Sequence, residues 1–218
     1  MARPNLTNEE VKVIKRRLID AAILIIKNAD FNSISIKSVA EISKMNSATI
    51  YKYFKNLDEL IIYSYVDKLE SYHKSIEEVN YTNHSALETY ILTWKYFAAF
   101  AYDNKEIINT LFFSGNNFDL NKIIKDYFDL YNKKFNILKP SVLNMLSKSN
   151  LYERNLQVIK PILSKKYNLD EINIINDILI NNFKVILIDA INKNTNYSKE
   201  EFVNKICISN EFLLKVII

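Results

Sequence analysis

The scarcity of glycine and proline is the feature that most restricts how this chain can fold. The 218 residues include one Gly and three Pro, whereas β-hairpins depend on such residues for their tight turns. No stretch alternates apolar and polar residues with a period of two, which would indicate a half-buried strand. The sequence therefore predicts an all-α protein, with room for one small and one larger domain.

Residues 33–60 predict two short helices joined by a tight turn. The first helix has apolar residues at i, i+3 and i+4 spacing and ends near Lys44. Asn46 is a good N-cap for the second, because its side chain can accept hydrogen bonds from the amides of the first turn. Ile50 and Phe54 lie four residues apart and share its inner face. Small polar, Tyr and Lys side chains are left outside, as in a helix-turn-helix that reads DNA; the alternative is a plain helical hairpin within a core.

This stretch resembles the DNA-binding signature of the tetracycline-repressor (TetR) family. The matching residues are Val39-Ala40, Met45-Asn46, Thr49-Ile50-Tyr51, Tyr53-Phe54 and Asp58-Glu59-Leu60. The family usually has Ile-Ala, a Gly-Val-Ser turn, Thr-Leu-Tyr-x-Tyr/His-Phe and Lys-Glu-x-Leu at these places. The resemblance implies an all-α fold with an N-terminal three-helix helix-turn-helix head plus a larger C-terminal helical domain for ligand binding and dimerisation (about nine helices).

Three positions depart from the family pattern. Lys44 stands where the turn glycine is usual, Ala48 where a second glycine is common, and Leu57 where a lysine usually meets the DNA backbone. If the turn is the usual one, Lys44 must adopt the left-handed backbone conformation, at roughly 1 kcal/mol relative to Gly. Leu57 removes one phosphate contact per subunit, which lowers the salt dependence of DNA binding.

The resemblance also assigns candidate DNA-binding residues within a domain expected over residues 1–56. Ser47 and Lys52 match positions that face base edges, and Lys can donate to guanine O6 and N7. The turn residue Asn46 is placed with them. Positions used on phosphates or in fixing the helix are matched by Ser35, Lys37, Thr49, Tyr51, Tyr53 and Lys55, with a place in the core as the alternative for Tyr53. A bridging helix is expected over 57–79, within an effector-binding and dimerisation domain over 57–218.

The charge distribution supports this placement. The formal net charge is +4, and residues 1–55 hold ten Lys and Arg against five Asp and Glu, so the remainder of the chain sums to −1. Alone, such an excess is equally consistent with a solvated basic face. Beside the motif it indicates nucleic-acid binding, because phosphate contacts need Lys and Arg.

Three consecutive helices predicted after residue 85 are rich in aromatic residues. Aromatic stripes at helical spacing more often form core than pocket. The resemblance implies an effector cavity between these helices, where Tyr hydroxyls and the Trp N–H would orient a mostly apolar ligand. We expect an aromatic or acyl-type small molecule without phosphate, since no Gly-rich phosphate loop is present. The candidate pocket residues are Trp94, Phe97, Phe100, Phe112, Phe113, Tyr127, Phe128 and Tyr131.

The last two predicted helices, over 170–193 and 199–216, carry more apolar residues than one protomer needs, which suggests burial by a partner. The resemblance implies a four-helix dimer interface. Two-fold symmetry would then set two recognition helices about 34–36 Å apart, in successive major grooves of a palindrome. The candidate interface residues are Ile178, Phe183, Ile186, Leu187, Phe202, Ile206, Phe212 and Leu213.

Enzymatic and membrane functions find no support in the sequence. Cys207 is the only cysteine, and His73 and His84 lack spaced acidic or Cys partners. We expect no catalytic residues, no metal and no cofactor. There is no signal-peptide core, and no apolar run approaches the ~18 residues of a membrane span, so a cytoplasmic location is expected.

The sequence thus predicts a homodimeric one-component transcriptional regulator, a repressor, that binds palindromic double-stranded DNA and is released by a small, mostly apolar or aromatic effector. The alternative is a TetR-like DNA-binding protein without a small-molecule effector, controlled by a protein partner as in chromosome organisation.

Overall fold

The computed structural model describes residues 6–28, 31–77, 84–115, 118–133, 148 and 150–218. Over these residues the chain is helical and contains no strand, which confirms the predicted all-α fold with its helix-turn-helix head. A short 3-10 turn at Phe31–Ser33 follows the first helix. The helices are α1 (Asn8–Asn28), α2 (Ile36–Ser43), α3 (Ser47–Tyr53), α4 (Leu57–Ser64), α5 (Val66–Glu77), α6 (Ala86–Asp103), α7 (Lys105–Phe113), α8 (Leu120–Leu130), α9 (Leu151–Leu163), α10 (Leu169–Ile191) and α11 (Lys199–Ile217).

The chain forms two compact units. The first contains the described residues of Met1–Lys68 and of Phe118–Asn136, and the second those of Leu69–Asn117 and of Ile137–Ile218. The chain therefore crosses between units within α5, before Phe118 and after Asn136. These units do not test the domain boundary predicted at residue 56, because a DNA-binding domain is defined by its function and a compact unit by its packing. The boundary stays a prediction.

The first unit is built around α1, which contacts α2, α4 and α8. Leu18, Ile19 and Ala22 of α1 are buried, as are Val39 of α2 and Leu60 of α4, the two short helices that α1 contacts. Helices of seven or eight residues are marginal alone, because isolated helices need about 12–15 residues to be stable in water. Packing against α1 stabilises α2 and α4, and α3 packs against α2.

Helix α8 and Tyr131, directly after it, bind to the rest of this unit through three polar pairs. The Tyr63 hydroxyl donates to Asp126 at 3.0 Å, and the Tyr131 hydroxyl donates to Asp20 at 2.6 Å. An ion pair joins Lys12 Nζ to an Asp129 oxygen at 3.0 Å. Burial and the neighbouring carboxylate raise the pKa of Tyr63 above its usual range, so its hydroxyl stays protonated and continues to donate.

The helix predicted over 57–79 is divided at Tyr65, which corrects the expectation of one continuous bridge. Tyr65 has φ −105° and ψ 0°, and its N–H bonds back to the carbonyls of Ile62 and Tyr63. The Ser64 hydroxyl donates to the Ile61 carbonyl at 2.6 Å. Serine side chains that bond to nearby backbone compete with the helical pattern, which accounts for the end of α4 here.

The second unit has α6 at its centre, packed along α11 and also contacting α7 and α9. Helix α10 packs against α7, α9 and α11. The core contains Trp94 and Phe97 from α6, Phe183 from α10 and Phe202 from α11. The rings of Trp94 and Phe97 lie 5.3 Å from that of Phe183, at the edge-to-face and tilted angles that aromatic pairs favour.

The turn between α2 and α3 has the geometry that the family resemblance implies. Lys44 adopts the left-handed conformation, with φ 55° and ψ 39°. The Met45 N–H donates to the Ala40 carbonyl at 3.0 Å, which closes the helix end in the manner of a Schellman motif. A side chain with a Cβ is disfavoured there, so Lys44 stores strain in the turn.

Replacement of Lys44 by Gly should raise the free energy of unfolding by about 0.5–1 kcal/mol, because Gly adopts positive φ without steric cost. Urea unfolding followed by circular dichroism measures this. Lys44→Ala is the control, since Ala removes the charge and keeps the Cβ. Equal midpoints for the Gly and Ala variants would contradict the strain argument.

The bond between Tyr63 and Asp126 should stabilise the first unit. Tyr63→Phe removes the hydroxyl and should lower the unfolding free energy by about 1.5–3 kcal/mol, the net value of a hydrogen bond to a charged group. Tyr96→Phe, at an exposed position of α6, is the matched control and should change it by less than about 0.5 kcal/mol. Similar losses in both variants would show that the hydrogen bond contributes nothing.

Candidate nucleic-acid interface and ligand cavity

Side-chain caps fix the start of both short helices. The Ser35 side chain accepts from the Ser38 N–H at 3.0 Å, and the Ser38 hydroxyl accepts from the Ser35 N–H at 2.9 Å. Asn46 Oδ1 accepts from the backbone N–H and the hydroxyl of Thr49, at 2.8 and 2.9 Å. Each cap is worth about 1 kcal/mol. Ser35, Asn46 and Thr49 therefore have structural roles whether or not they also meet DNA.

Helix α3 buries one face and exposes the other. Ile50 and Phe54 are 0% and 2% exposed, and the Phe54 ring packs edge-on against Tyr63 at 5.4 Å. Tyr51, one residue after Ile50, is 59% exposed. The other predicted DNA-binding residues divide into exposed Lys37, Asn46, Ser47, Lys52 and Lys55, and half-buried Ser35, Thr49 and Tyr53. The exposed face of a capped, anchored helix thus carries hydroxyl, phenol and ammonium groups, which donate to phosphates and base edges.

The predicted pocket residues lie in two places. Trp94, Phe97 and Phe100 on α6 and Phe112 and Phe113 on α7 belong to the second unit. The other three belong to the first unit, on α8 or directly after it: Tyr127, Phe128 and Tyr131.

A cavity of about 30 Å³ lies inside the second unit. Of the predicted pocket residues, only Trp94 and Phe97 line it. Its other lining residues are Tyr72, Thr93, Leu151, Arg154, Asn155 and Val158. A volume of this size holds one or two water molecules, whereas sites for drug-sized ligands have about 300–1,000 Å³.

A buried chain of hydrogen bonds holds one wall of this cavity. The indole N–H of Trp94 donates to Asn155 Oδ1 at 2.8 Å, and Asn155 Nδ2 donates to Asn176 Oδ1 at 2.8 Å. Asn176 in turn donates to the Tyr152 carbonyl at 3.0 Å. Buried polar groups must be paired to avoid a desolvation cost, so this chain fixes the position of the Trp94 ring.

Arg154 is the charged residue among the six lining residues that sequence reasoning missed. It is on α9, 5% exposed, and its Nε donates to the Lys148 carbonyl at 2.9 Å. Its guanidinium lies 5.1 Å from the centre of the Phe112 ring. Burial lowers the pKa of Arg154 to about 10, which still leaves it charged at neutral pH. The sequence does contain one signal of this position. Arg154 and Val158 follow Leu151 by three and seven residues, so the three share one face of the helix.

The predicted dimer residues are mostly within the core of the protomer. Phe183, Ile186, Leu187, Phe202 and Ile206 are all buried. Leu213 is half-buried, and Ile178 and Phe212 are exposed. The other exposed apolar residues on the last two helices, or directly after them, are Leu169, Ile174, Val185, Ile208, Val216 and Ile218. Sequence reasoning missed these, because helices that are apolar on most sides do not show which side faces inward.

Among the described residues, no three His, Cys, Asp or Glu side chains come together in a way that could hold a metal ion. None of the helices in this part of the chain has the length and apolar content required to cross a membrane. Burial raises the pKa of the Cys207 thiol to about 11, so little reactive thiolate is present at neutral pH.

The sequence matches no family model and no curated protein, whereas the fold matches solved structures. Thermus thermophilus FadR, a TetR-family transcriptional repressor solved in complex with lauroyl-CoA, has a TM-score of 0.58 at 13% identity, over 92% of this chain and 93% of that one. The fatty acid degradation regulator FadR from Bacillus halodurans has a TM-score of 0.50 at 15% identity, over 97% of both chains. Both neighbours are regulators. The chain therefore has the fold of the TetR-family transcriptional regulators.

Proposed function

We propose that the chain is a homodimeric TetR-family transcriptional repressor that binds a palindromic DNA operator and is released by a small, mostly apolar or aromatic effector. The main support for this proposal is the way in which α3 packs within the first unit. Ile50 and Phe54 are buried and hold the helix, while Ser47, Tyr51 and Lys52 are exposed. This is the arrangement of a recognition helix that enters the major groove.

Dimerisation is supported by two exposed apolar stripes. On α10, Ile174, Ile178 and Val185 are at i, i+4 and i+11, and are 60%, 52% and 59% exposed. On α11, the stripe is formed by Ile208, Phe212 and Val216, at i, i+4 and i+8, which are 64–68% exposed. Helical spacing places each set on one face, and contiguous exposed apolar surface marks an interaction site. We propose these residues, together with half-buried Leu213, as the contacts of a four-helix interface.

An effector site in the second unit is supported by its aromatic cavity. The cavity wall combines Trp94, Phe97 and Tyr72 with a few polar groups, which is the usual make-up of a small-molecule site. A protein of the same fold holds lauroyl-CoA. The volume of about 30 Å³ means that a ligand must displace side chains to enter, so binding and conformational change are linked.

The small cavity also favours the second candidate function. A DNA-binding protein of this fold that is controlled by a protein partner needs no room for a ligand, and 30 Å³ is about tenfold below the usual range of ligand sites. The two candidates differ in one property, since only a ligand-controlled regulator changes its operator affinity in the presence of a small molecule.

The deciding experiment measures binding to DNA from the region upstream of the gene by fluorescence anisotropy, with and without a panel of apolar, aromatic and acyl compounds that includes lauroyl-CoA. We expect selective, salt-dependent binding that one compound weakens by about 5–150-fold, the usual range of allosteric coupling. Selective binding that no compound alters would favour the protein-controlled alternative. Absence of selective binding would contradict both.

Lys52 and Lys55 should have separable roles in DNA binding. Lys52→Met should lower operator affinity by about 1–3 kcal/mol and reduce the preference for operator over random DNA, because it removes a base contact. Lys55→Met should weaken binding to both DNAs equally and reduce the slope of log K against log salt by about 1. Lys160→Met, which removes an exposed charge from α9, is the control. Identical effects of the Lys52 and Lys55 variants would contradict the assignment.

The interface should depend on Phe212. Phe212→Glu should weaken self-association by about 2 kcal/mol or more, because it places a charge where an apolar anchor would be buried. Sedimentation velocity over a concentration series measures the shift. Val13→Glu, at an exposed position of α1, is the matched control and should leave the dimer intact. A wild-type monomer, or equal association of both variants, would contradict the proposed interface.

A further inference from the structure

The exposed apolar stripe of α10 contains a polar residue. Ile174, Ile178 and Val185 are exposed on this helix, and Asn181 is exposed as well. Asn181 follows Ile174 by seven residues, which is about two helical turns, so it lies on the same face as the stripe. An amide in such a place has a consequence for any partner that covers it, because a buried amide is costly unless it is hydrogen-bonded.

A hydrogen bond within the protomer orients the Asn181 side chain. The Tyr152 hydroxyl of α9 donates to Asn181 Oδ1 at 3.1 Å. Among the described residues, none accepts a hydrogen bond from Asn181 Nδ2. A side-chain amide has two N–H donors and an oxygen with two lone pairs. Both N–H groups and one lone pair of Asn181 can therefore bond to a partner.

The stripes of α10 and α11 come together at the level of Asn181. Asn182 Nδ2 donates to Ser209 Oγ at 2.8 Å, and these two residues directly follow Asn181 and Ile208 in the sequence. Phe212 is one turn further along α11. Asn181 therefore lies among the exposed apolar residues of both helices, where a partner that covers the stripes also covers its amide.

The other polar side chains next to these stripes bond to each other. Asn182 is paired with Ser209, and Glu211 forms an ion pair with Lys215 at 2.6 Å. A dimer with two-fold symmetry presents the same surface from both subunits. When this surface covers Asn181, the group that remains to pair with its amide is Asn181 of the second copy.

We propose that a second copy of this chain docks with Asn181 against Asn181, so that the two amides donate to each other's Oδ1 across the two-fold axis. The proposal rests on the dimer of the proposed function and specifies the register in which the copies meet. An amide suits this role because it contains both donor and acceptor and is complementary to itself. A shifted register buries two amides against apolar side chains, and a single polar residue in an apolar seam selects a register in this way.

Charge substitutions at residue 181 test this contact directly. Asn181→Asp and Asn181→Lys each set two like charges against each other in the homodimer, so each should weaken self-association by at least about tenfold. An equimolar mixture of the two variants sets a carboxylate against an ammonium. The mixture should therefore associate at least about tenfold more tightly than either variant alone. Sedimentation velocity of the full chain over a concentration series measures both effects.

Asn173 provides the matched control. It is also an exposed asparagine of α10, but it precedes Ile174 by one residue and so lies about 100° around the helix from it. Asn173→Asp and Asn173→Lys make the same changes in charge outside the stripe. Each should leave self-association within about twofold of the wild type, alone or mixed, because isolated surface charges contribute little.

The outcomes separate this contact from the proposed dimer. If Phe212→Glu dissociates the dimer and the Asn181 variants associate like the wild type, the interface stands and the proposed register is wrong. A mixture that associates no more tightly than its components also overturns the inference, because residue 181 then does not meet its own copy. A wild type that stays monomeric contradicts both the dimer and this contact.

Discussion

The burial of Ile50 and Phe54 is the constraint on which the candidate DNA interface depends. Helix α3 has seven residues, too few to be stable by itself, so its position is set by these two side chains and by its caps. Truncation of a buried Phe costs about 3–5 kcal/mol, against a total stability of about 5–15 kcal/mol for a domain. A mutation that disrupts the core of the first unit at these positions would therefore also displace the exposed residues of α3.

Lys15, a basic residue of α1, contributes to this core through its contacts with two aromatic rings. Lys15 Nζ lies 5.7 Å from the centre of the Phe54 ring and 5.1 Å from that of Tyr63. An ammonium over aromatic faces contributes about 0.5–1 kcal/mol at exposed sites. Lys15 on α1 thus adds both to the positive charge of the N-terminal region and to the packing that holds α3.

The features of the fold that sequence predicted are the local ones. The N-cap Asn46 follows from a residue type next to the helix that it caps, whereas the left-handed Lys44 is what the family resemblance implies for the turn. The break at Tyr65 has a local contributor in Ser64, but serine occurs in many uninterrupted helices, so its presence alone does not predict an end. The placement of α8 with the first unit depends on Asp126 and its partner across the fold, and no short-range pattern encodes that.

Sequence also could not predict which residues of the candidate sites are buried. In the last two helices, apolar residues occupy most sides, so sequence could not separate core Phe183 from exposed Ile178. Exposure is a property of how α10 packs, and only the structure supplies it. Arg154 has the complementary problem, because a charged residue in an amphipathic helix is normally assigned to the outer face. Its burial is visible only once the direction of that face is known.

The small volume of the cavity has a consequence for how an effector could act. A ligand that binds two conformations equally does not shift the equilibrium between them. A ligand that one conformation excludes has the largest difference in affinity that a site can offer. If the open state is populated at about 1%, opening costs about 2.7 kcal/mol of apparent affinity. A ligand with an apolar body must recover this opening cost from the apolar area that it buries, at about 25 cal/mol per Å². The small cavity therefore sets a lower limit on the apolar area that an effector at this place would have to bury.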